Sequence, residues 1–302
     1  MTRPGDSARI PWIVYSVMLV TTLFWALGHP LGRIILRTVH PFQLAFINLL
    51  VGLLALVAYL AASGKLRSLR AVSRGDLAGS LGLGVLGFAV YQVLTFSALS
   101  RIPASINAVL VSTNVVMIAP LAALVLGERL RWARAAAIVC AFAGVVLITF
   151  SQGFAAGTRI DPIGCTFSLL AALSFALYTV LGKRVVQRTD PLIVTALALF
   201  SGAVLLGVAT SATIGFGRLW SADGQAWSLM ILLGLTMIGF GYPAWFACLK
   251  RLPASRASVF IYLTPVFAVI LSFLILGERV TWPFFAGGVL VLGGIAAATA
   301  SG

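Results

Sequence analysis

Ten aromatic or uncharged polar side chains inside apolar segments are the residues of this chain best suited to hold a small molecule. They are Trp25, His29, Tyr91, Gln92, Asn107, Asn114, Tyr178, Tyr242, Trp245 and Tyr262. Aromatic rings attract ammonium groups, and amide groups bond a carboxylate without carrying a charge. The set predicts a pocket for a neutral or zwitterionic solute with an apolar side group. The alternative for each residue is structural, because Tyr and Trp also form interfacial belts and Asn joins helices.

Charged side chains are missing from the middle of the apolar segments. All seven Asp and Glu residues lie at or between segment ends. Since buried ionisable groups mark proton relays and ion sites, this pattern argues against carboxylate-based proton exchange and against a substrate held by a countercharge. His29 is the one titratable candidate, but its neighbour Pro30 frees a backbone carbonyl that His29 can bond instead. We predict no catalytic residues, no metal site and no cofactor.

The composition is that of a protein embedded in lipid. Of 302 residues, 61% are hydrophobic and 9% charged, whereas soluble domains carry about 25% charged residues. The net charge of +14 fits the Lys and Arg that gather in the cytoplasmic loops of membrane proteins better than a nucleic-acid surface. The predicted partners are therefore a small-molecule substrate and membrane lipid, with no nucleic acid.

Ten apolar segments are long enough to cross a bilayer, which takes about 20 residues. They cover residues 12–34, 42–62, 77–99, 104–126, 133–151, 162–183, 191–213, 226–249, 254–276 and 282–300. The first exceeds the apolar core of a signal peptide, so we predict an uncleaved helix. The predicted fold class is all-α, integral to the membrane.

The two halves of the chain repeat each other. "RIPAS" at 101–105 returns as "RLPAS" at 251–255, and "LVLGERLRW" at 124–132 returns as "LILGERVTW" at 274–282. The shared offset predicts two five-helix units, residues 1–151 and 162–302, joined by residues 152–161. Because five is odd, the second unit enters the membrane from the opposite side, which predicts an inverted repeat around a central cavity.

The repeated Gly-Glu pair predicts a tight connection between helices. Gly127 and Gly277 supply a permissive helix end. Glu128 and Glu278 follow, where the next helix begins and its dipole favours a carboxylate. We therefore assign these four residues a structural role.

Basic residues set the predicted orientation. With both termini in the cytoplasm, 15 of the 21 Lys and Arg residues lie on the cytoplasmic side. The excess comes from residues 65–74, which hold four basic residues, whereas the equivalent loop holds Arg218 alone. The positive-inside rule thus predicts cytoplasmic termini in a multi-pass protein of the bacterial inner membrane.

These motifs resemble the EamA family of the drug/metabolite transporter superfamily. The resemblance rests on the paired "P-A-S" and "L-G-E-R" motifs, Tyr242 and Thr264-Pro265, and it covers essentially the whole chain. It implies a transporter, usually an exporter of small metabolites, with a cavity lined by spans 1, 3, 4, 6, 8 and 9. Two features depart from the family: Asn48 stands where many members carry Arg, and His29-Pro30 stands where small or amide residues are usual.

Within that family, the pocket residues predict export of hydrophobic or aromatic amino acids by alternating access, and the amino-acid exporter branch is the nearest resemblance. Pro30, Pro243 and Pro265 are the predicted hinges for gating. Drug-like amphiphiles or nucleobase-type metabolites are alternative substrates. A membrane channel or a lipid-acting enzyme is the alternative of another class. Coupling stays open between facilitated diffusion, exchange and proton antiport, and a monomer suffices to enclose the cavity.

Overall fold

The computed structural model describes residues 12–128, 131–155, 161–277 and 282–300, and every regular element among them is a helix. The predicted all-α class is therefore confirmed. Helices suit lipid because each satisfies its own backbone hydrogen bonds. Glu278, one of the predicted motif residues, lies outside the described residues.

The described residues of the first half form seven α-helices. They are α1 (Trp12–Ile35), α2 (Pro41–Ala62), α3 (Arg74–Gly84), α4 (Tyr91–Leu99), α5 (Ala104–Ser112), α6 (Asn114–Leu126) and α7 (Trp132–Ala155). The first π-helical segment, Val85–Val90, joins α3 to α4, and Thr113 alone separates α5 from α6. A short 3-10 helix, Lys65–Ala71, follows α2.

In the second half, the residues that the structure describes form eight α-helices. They are α8 (Pro162–Val186), α9 (Pro191–Thr213), α10 (Gly217–Trp220), α11 (Gly224–Leu233), α12 (Tyr242–Arg251), α13 (Ala254–Ala257), α14 (Leu263–Leu276) and α15 (Trp282–Ala300). The second π-helical segment, Gly234–Gly241, joins α11 to α12, and a 3-10 segment, Ser258–Tyr262, joins α13 to α14.

Eight helical stretches in the described residues are long and apolar enough to cross a membrane. They are Trp12–Ile35, Pro41–Ala62, Arg74–Leu99, Ile106–Leu126, Pro162–Val186, Pro191–Thr213, Gly224–Arg251 and Ala254–Leu276. Shorter apolar helical stretches, Ala135–Gly144 and Phe285–Ala297, lie in α7 and α15. The total of ten spans and the opposed orientation of the two halves stay predictions.

The starts of the long helices follow from their sequences. α2, α8 and α9 each begin with Pro in the first turn, where a missing N–H costs nothing. Each is preceded by a side chain that accepts a backbone N–H: His40, Asp161 and Asp190. At α9, Asp190 Oδ1 accepts the N–H of Leu192 at 2.8 Å. These caps satisfy donors that the helix itself leaves unpaired.

Helices of the two halves interleave around the core. α1 packs against α14, α2 against the second π segment, and α8 against α4 and α6. Close approach requires glycine at Gly84, where an added Cβ would lie 2.1 Å from the carbonyl oxygen of Ala198 in α9. The packing therefore ties the halves into one bundle, and no half has a core of its own in the described residues.

Candidate functional site

A small cavity lies among α1, α4, α5, α6, α8, α12, the second π segment and the segments on either side of Leu263. Its volume is about 30 Å³, which is enough for water. An amino acid is several times larger. The cavity of this structure is therefore closed to a solute of that size.

Six of the ten predicted pocket residues line this cavity. They are Trp25, His29, Tyr91, Gln92, Asn114 and Tyr242. They come from α1, α4, α6 and α12, which lie far apart in the sequence. The fold thus brings both halves of the chain to one cavity.

Asn107 does not line the cavity. Its Nδ2 donates to the carbonyl oxygen of Thr95 at 3.4 Å, and its Oδ1 accepts from Ser168 Oγ at 2.9 Å. Asn107 and Asn114 are seven residues apart, a spacing that places both on one face of an unbroken helix. Here α5 ends at Ser112 before α6 begins, so the helix is interrupted between them. Asn107 therefore connects α5 to α4 and α8.

Three aromatic residues of the predicted set are buried but do not line the cavity. Tyr178 stacks on Phe246 with ring centroids 4.9 Å apart. Trp245 packs behind Trp25 at 5.5 Å, and Tyr262 is fully buried. Sequence type alone does not separate a ring in the wall from a ring one layer deeper, because both are buried aromatics on the inner faces of helices.

The wall itself is built from contacting rings. Trp25 lies with its ring centroid 5.6 Å from that of Phe175 and 5.3 Å from that of Tyr242, and Tyr91 lies 5.3 Å from Phe175. Trp25 Nε1 donates to the carbonyl oxygen of Met237 at 3.3 Å, across the two halves. Tilted and edge contacts of this kind are favourable for aromatic pairs, so the wall is held in a defined arrangement.

Apart from Thr95 Oγ1, which lies beside the Tyr91 side chain, four polar atoms of the wall are buried without a hydrogen-bond partner in the described part of the chain: His29 Nδ1, Gln92 Nε2, Asn114 Oδ1 and Thr264 Oγ1. Buried polar groups are nearly always paired, since an unpaired one costs about 1–3 kcal/mol. Four of them around a single cavity give its wall donor and acceptor atoms that a polar solute could use.

Phe175, Met237 and Thr264 also line the cavity but are absent from the predicted set. Phe175 is one of 19 Phe residues in an apolar chain, so its type carries no signal. Met237 lies in the second π segment, which sequence periodicity did not indicate. Thr264 precedes Pro265 inside a span, and that pairing was the available clue.

The wall of this cavity is uncharged as far as the structure describes it. Among the described residues, no Asp, Glu, Lys or Arg lines it. Nowhere in the described ranges do three His, Cys, Asp or Glu residues come together to hold a metal. The wall therefore presents aromatic rings, amides and hydroxyl groups to the cavity.

Comparison with known proteins decides the family. The EamA-like transporter family matches this chain twice, over residues 12–150 and again over residues 162–300. The chain belongs to the EamA-like transporter family. The predicted resemblance and the predicted transporter class are confirmed, and the duplication seen in the sequence motifs corresponds to two copies of the family unit.

Individual relatives agree with this assignment. An uncharacterized transporter of Archaeoglobus fulgidus is 28% identical over 94% of this chain and 96% of its own length. A probable terminal-alkyne amino-acid exporter of Streptantibioticus cattleyicolor is 29% identical over 92% of this chain and 90% of its own. A solved crystal structure superposes with a TM-score of 0.79 over 96% of this chain and 97% of that chain at 23% identity, which shows the shared fold.

The Glu128 carboxylate of this transporter lies against the other half of the chain. It accepts the backbone N–H groups of Ala254 (2.7 Å) and Ser255 (3.2 Å) and the hydroxyl of Ser255 (2.8 Å). Lys183 Nζ lies 3.2 Å from it. The carboxylate caps α13 and not the helix that follows Glu128, which differs from the prediction, because the left-handed turn at Gly127 (φ 68°) ends α6 beside the second "P-A-S" motif.

The hydrogen bonds of the Glu128 carboxylate predict that the fold loses stability in acid. Burial by itself raises the pKa of Glu128. The hydrogen bonds from Ala254 and Ser255 and the charge of Lys183 lower it by more, so the pKa lies below its usual value. The contacts of the ionised carboxylate therefore stabilise the fold above pH ~4.3. Their contribution is lost as the pH falls through the lowered pKa. We expect Glu128→Gln to cost about 1–2 kcal/mol at neutral pH.

Thermal unfolding of both proteins between pH 7 and pH 3 tests this. The difference in Tm between wild type and Glu128→Gln is expected to shrink with acid, because the wild type loses the charge that the variant lacks. A difference that is constant across this range would contradict a role for the carboxylate charge.

A matching contact occurs at the equivalent position of the first half. Lys183 Nζ donates to the carbonyl oxygen of Leu252, and Arg33 Nη1 donates to that of Ile102 at 2.7 Å. Arg33 and Ile102 precede Lys183 and Leu252 by the repeat offset. The transporter thus uses the same cation-to-carbonyl contact in both units.

The three predicted hinge prolines lie in different surroundings. α1 continues through Pro30. Pro243 lies two residues after the second π segment, and Pro265 lies three residues after the 3-10 segment. π-helical turns are frequent at functional sites, and irregular backbone reaches the cavity beside Pro243 and Pro265 and also in the first π segment before Tyr91. Their gating role stays a prediction.

Proposed function

We propose that this transporter exports small neutral or zwitterionic metabolites, above all hydrophobic or aromatic amino acids, across the bacterial inner membrane. The observation that carries the proposal is the set of four unpartnered polar atoms beside the rings of Trp25 and Phe175. A carboxylate is a suitable acceptor for Gln92 Nε2, and an ammonium is a suitable donor for Asn114 Oδ1. The rings then receive the apolar side group and attract the ammonium.

The named relative from Streptantibioticus cattleyicolor, a probable exporter of a terminal-alkyne amino acid, supports the same substrate class. A wall without charged side chains suits a zwitterion, since a solute with a net charge would enter without a countercharge. In this proposal the two halves are inverted with respect to each other and rock around the cavity, which opens to one side of the membrane at a time. The closed form described above is then an intermediate of the cycle.

A transport panel in proteoliposomes tests the proposal. Liposomes loaded with unlabelled phenylalanine or leucine are expected to accumulate the radiolabelled amino acid by counterflow, with saturation and with competition between the two. Adenine and a cationic dye serve as representatives of the alternative substrates. Phe200→Leu, which changes an exposed side chain on the apolar surface, is the control and is expected to keep full counterflow.

Each other outcome has a defined meaning. Counterflow of adenine or the dye without the amino acids would replace the substrate class. Non-saturable flux that follows the gradient alone would favour a channel, because alternating access requires a binding step in each cycle. A covalently changed product would indicate an enzyme.

A further inference from the structure

A large groove on the outer surface of the bundle is distinct from the closed cavity. It lies between α2, α9 and the stretch from the second π segment to α12, and its volume is about 740 Å³. Its apolar walls include Leu56, Leu235, Phe240 and Ala244, and Leu235 and Phe240 are each more than 40% exposed. The groove therefore opens to whatever surrounds the apolar helices, which for a membrane protein is lipid.

One end of this groove is basic. It is lined by Lys65, Lys250 and Arg251. Asp190 is the one acidic residue in the described ranges that also lines it. Asp190 is already engaged, since it caps α9 at Leu192 and lies 3.9 Å from Lys65. Neither Lys250 nor Arg251 has a carboxylate within ion-pair distance in the part of the chain that the structure describes. The groove end thus carries a net positive charge.

The repeat supplies an internal comparison. At the equivalent place in the other half, Gly215 stands for Lys65, Ser100 for Lys250 and Arg101 for Arg251. Arg101 is neutralised by Asp161 at 3.1 Å. That smaller groove, about 310 Å³, is lined by Ser97 and Ser100. The two halves share the helices but not the charge, so the positive charge is a property of this one groove and not of the repeated fold.

We propose that this groove is a binding site for an anionic phospholipid. The headgroup phosphate lies against Lys65, Lys250 and Arg251, and an acyl chain lies along the apolar wall at Leu56 and Phe240. Basic pockets between membrane helices at the cytoplasmic face recognise lipid headgroups in this way, and the positive-inside rule predicts that this face is cytoplasmic. Because Pro243 and the second π segment form one wall, the bound lipid touches the same irregular backbone that reaches the cavity.

Lipid titrations of the full-length protein in mild detergent, followed by native mass spectrometry, test the site. Dioleoylphosphatidylglycerol is expected to bind about 25-fold more tightly than dioleoylphosphatidylcholine, on the basis of about fivefold for each of the two net positive charges at the groove end. Lys65→Gln/Lys250→Gln is expected to weaken phosphatidylglycerol about 25-fold. Arg67→Gln/Arg70→Gln removes the same charge from the neighbouring 3-10 helix, outside the groove, and is expected to stay within twofold of wild type.

Three results would overturn the proposal. Equal weakening by both double variants would mean that the positive face attracts lipid without a site. Equal binding of the two lipids would remove the role of the headgroup charge. Displacement of phosphatidylglycerol by millimolar glycerol 3-phosphate would show a site for a free phosphate ester and no use of the acyl wall. The binding assay needs no transported solute, so it stands or falls separately from the export proposal.

Discussion

Gln92→Met is expected to abolish most transport while leaving the protein as stable as the wild type or more stable. Met matches Gln in length but removes Nε2, which is buried at the cavity without a partner in the described chain. Removing an unpaired buried polar group is neutral or favourable, by up to about 1 kcal/mol. A hydrogen bond to a charged solute is worth about 1.5–3 kcal/mol, so initial counterflow rates at low solute concentration should fall at least about tenfold.

The matched control is Gln43→Met. Gln43 is also fully buried, but both ends are used: Nε2 donates to the carbonyl oxygen of Gly215 at 2.9 Å and Oε1 accepts the N–H of His40 at 3.2 Å. Its loss should cost about 2 kcal/mol of stability. If Gln92→Met lowers Tm as much as Gln43→Met does, Gln92 has a structural role and the substrate assignment of the cavity loses its main support.

Gly84→Ala is expected to destabilise the fold by about 3 kcal/mol. The added Cβ would lie 2.0 Å from Ser201 Oγ and 2.1 Å from the carbonyl oxygen of Ala198. Ser201 can rotate, but the Ala198 carbonyl belongs to the backbone of α9, so α3 and α9 must move apart. Overpacking of this kind typically costs about 1–3 kcal/mol, and a backbone obstacle places this position at the upper end. Thermal unfolding in detergent measures the change.

Gly82→Ala, two residues earlier in the same helix, provides the control. No atom of another element lies within 4 Å of an added Cβ there. Ala is the better helix former by about 1 kcal/mol, so this variant should be as stable as wild type or more so. A Tm for Gly84→Ala equal to that of Gly82→Ala would show that α3 and α9 are not in contact.

The sequence carried most of the architecture because membrane helices are marked by length, apolarity and end signals. The predicted starts at residues 12, 104, 162, 191, 254 and 282 coincide with the observed helix starts. Gly127 and Gly277 could be predicted as helix ends because each adopts the left-handed conformation (φ 68° at both) that favours glycine. The interruptions inside spans could not, because π turns leave the apolar pattern nearly unchanged.

The residues that line the cavity were predicted in part. Residues such as Gln92 and Asn114 could be found because a polar side chain inside an apolar span requires an explanation. Tyr178 and Tyr262 satisfied the same rule but lie outside the cavity wall. Depth within a bundle depends on which helices become neighbours, and one sequence does not encode that in its local pattern. The capping of α13 by Glu128 was missed for the same reason, since it joins residues 126 positions apart.

The contact between α7 and α15 bears on the order of events during synthesis. At Gly144 an added Cβ would lie 2.5 Å from the carbonyl oxygen of Gly287, and at Gly294 it would lie 2.7 Å from that of Ala137. α7 and α15 therefore pack tightly against each other. α7 leaves the ribosome long before α15 is made. Until then, its small-residue stripe is available to wrong neighbours. During biogenesis α7 therefore lacks its main packing partner until α15 has been inserted.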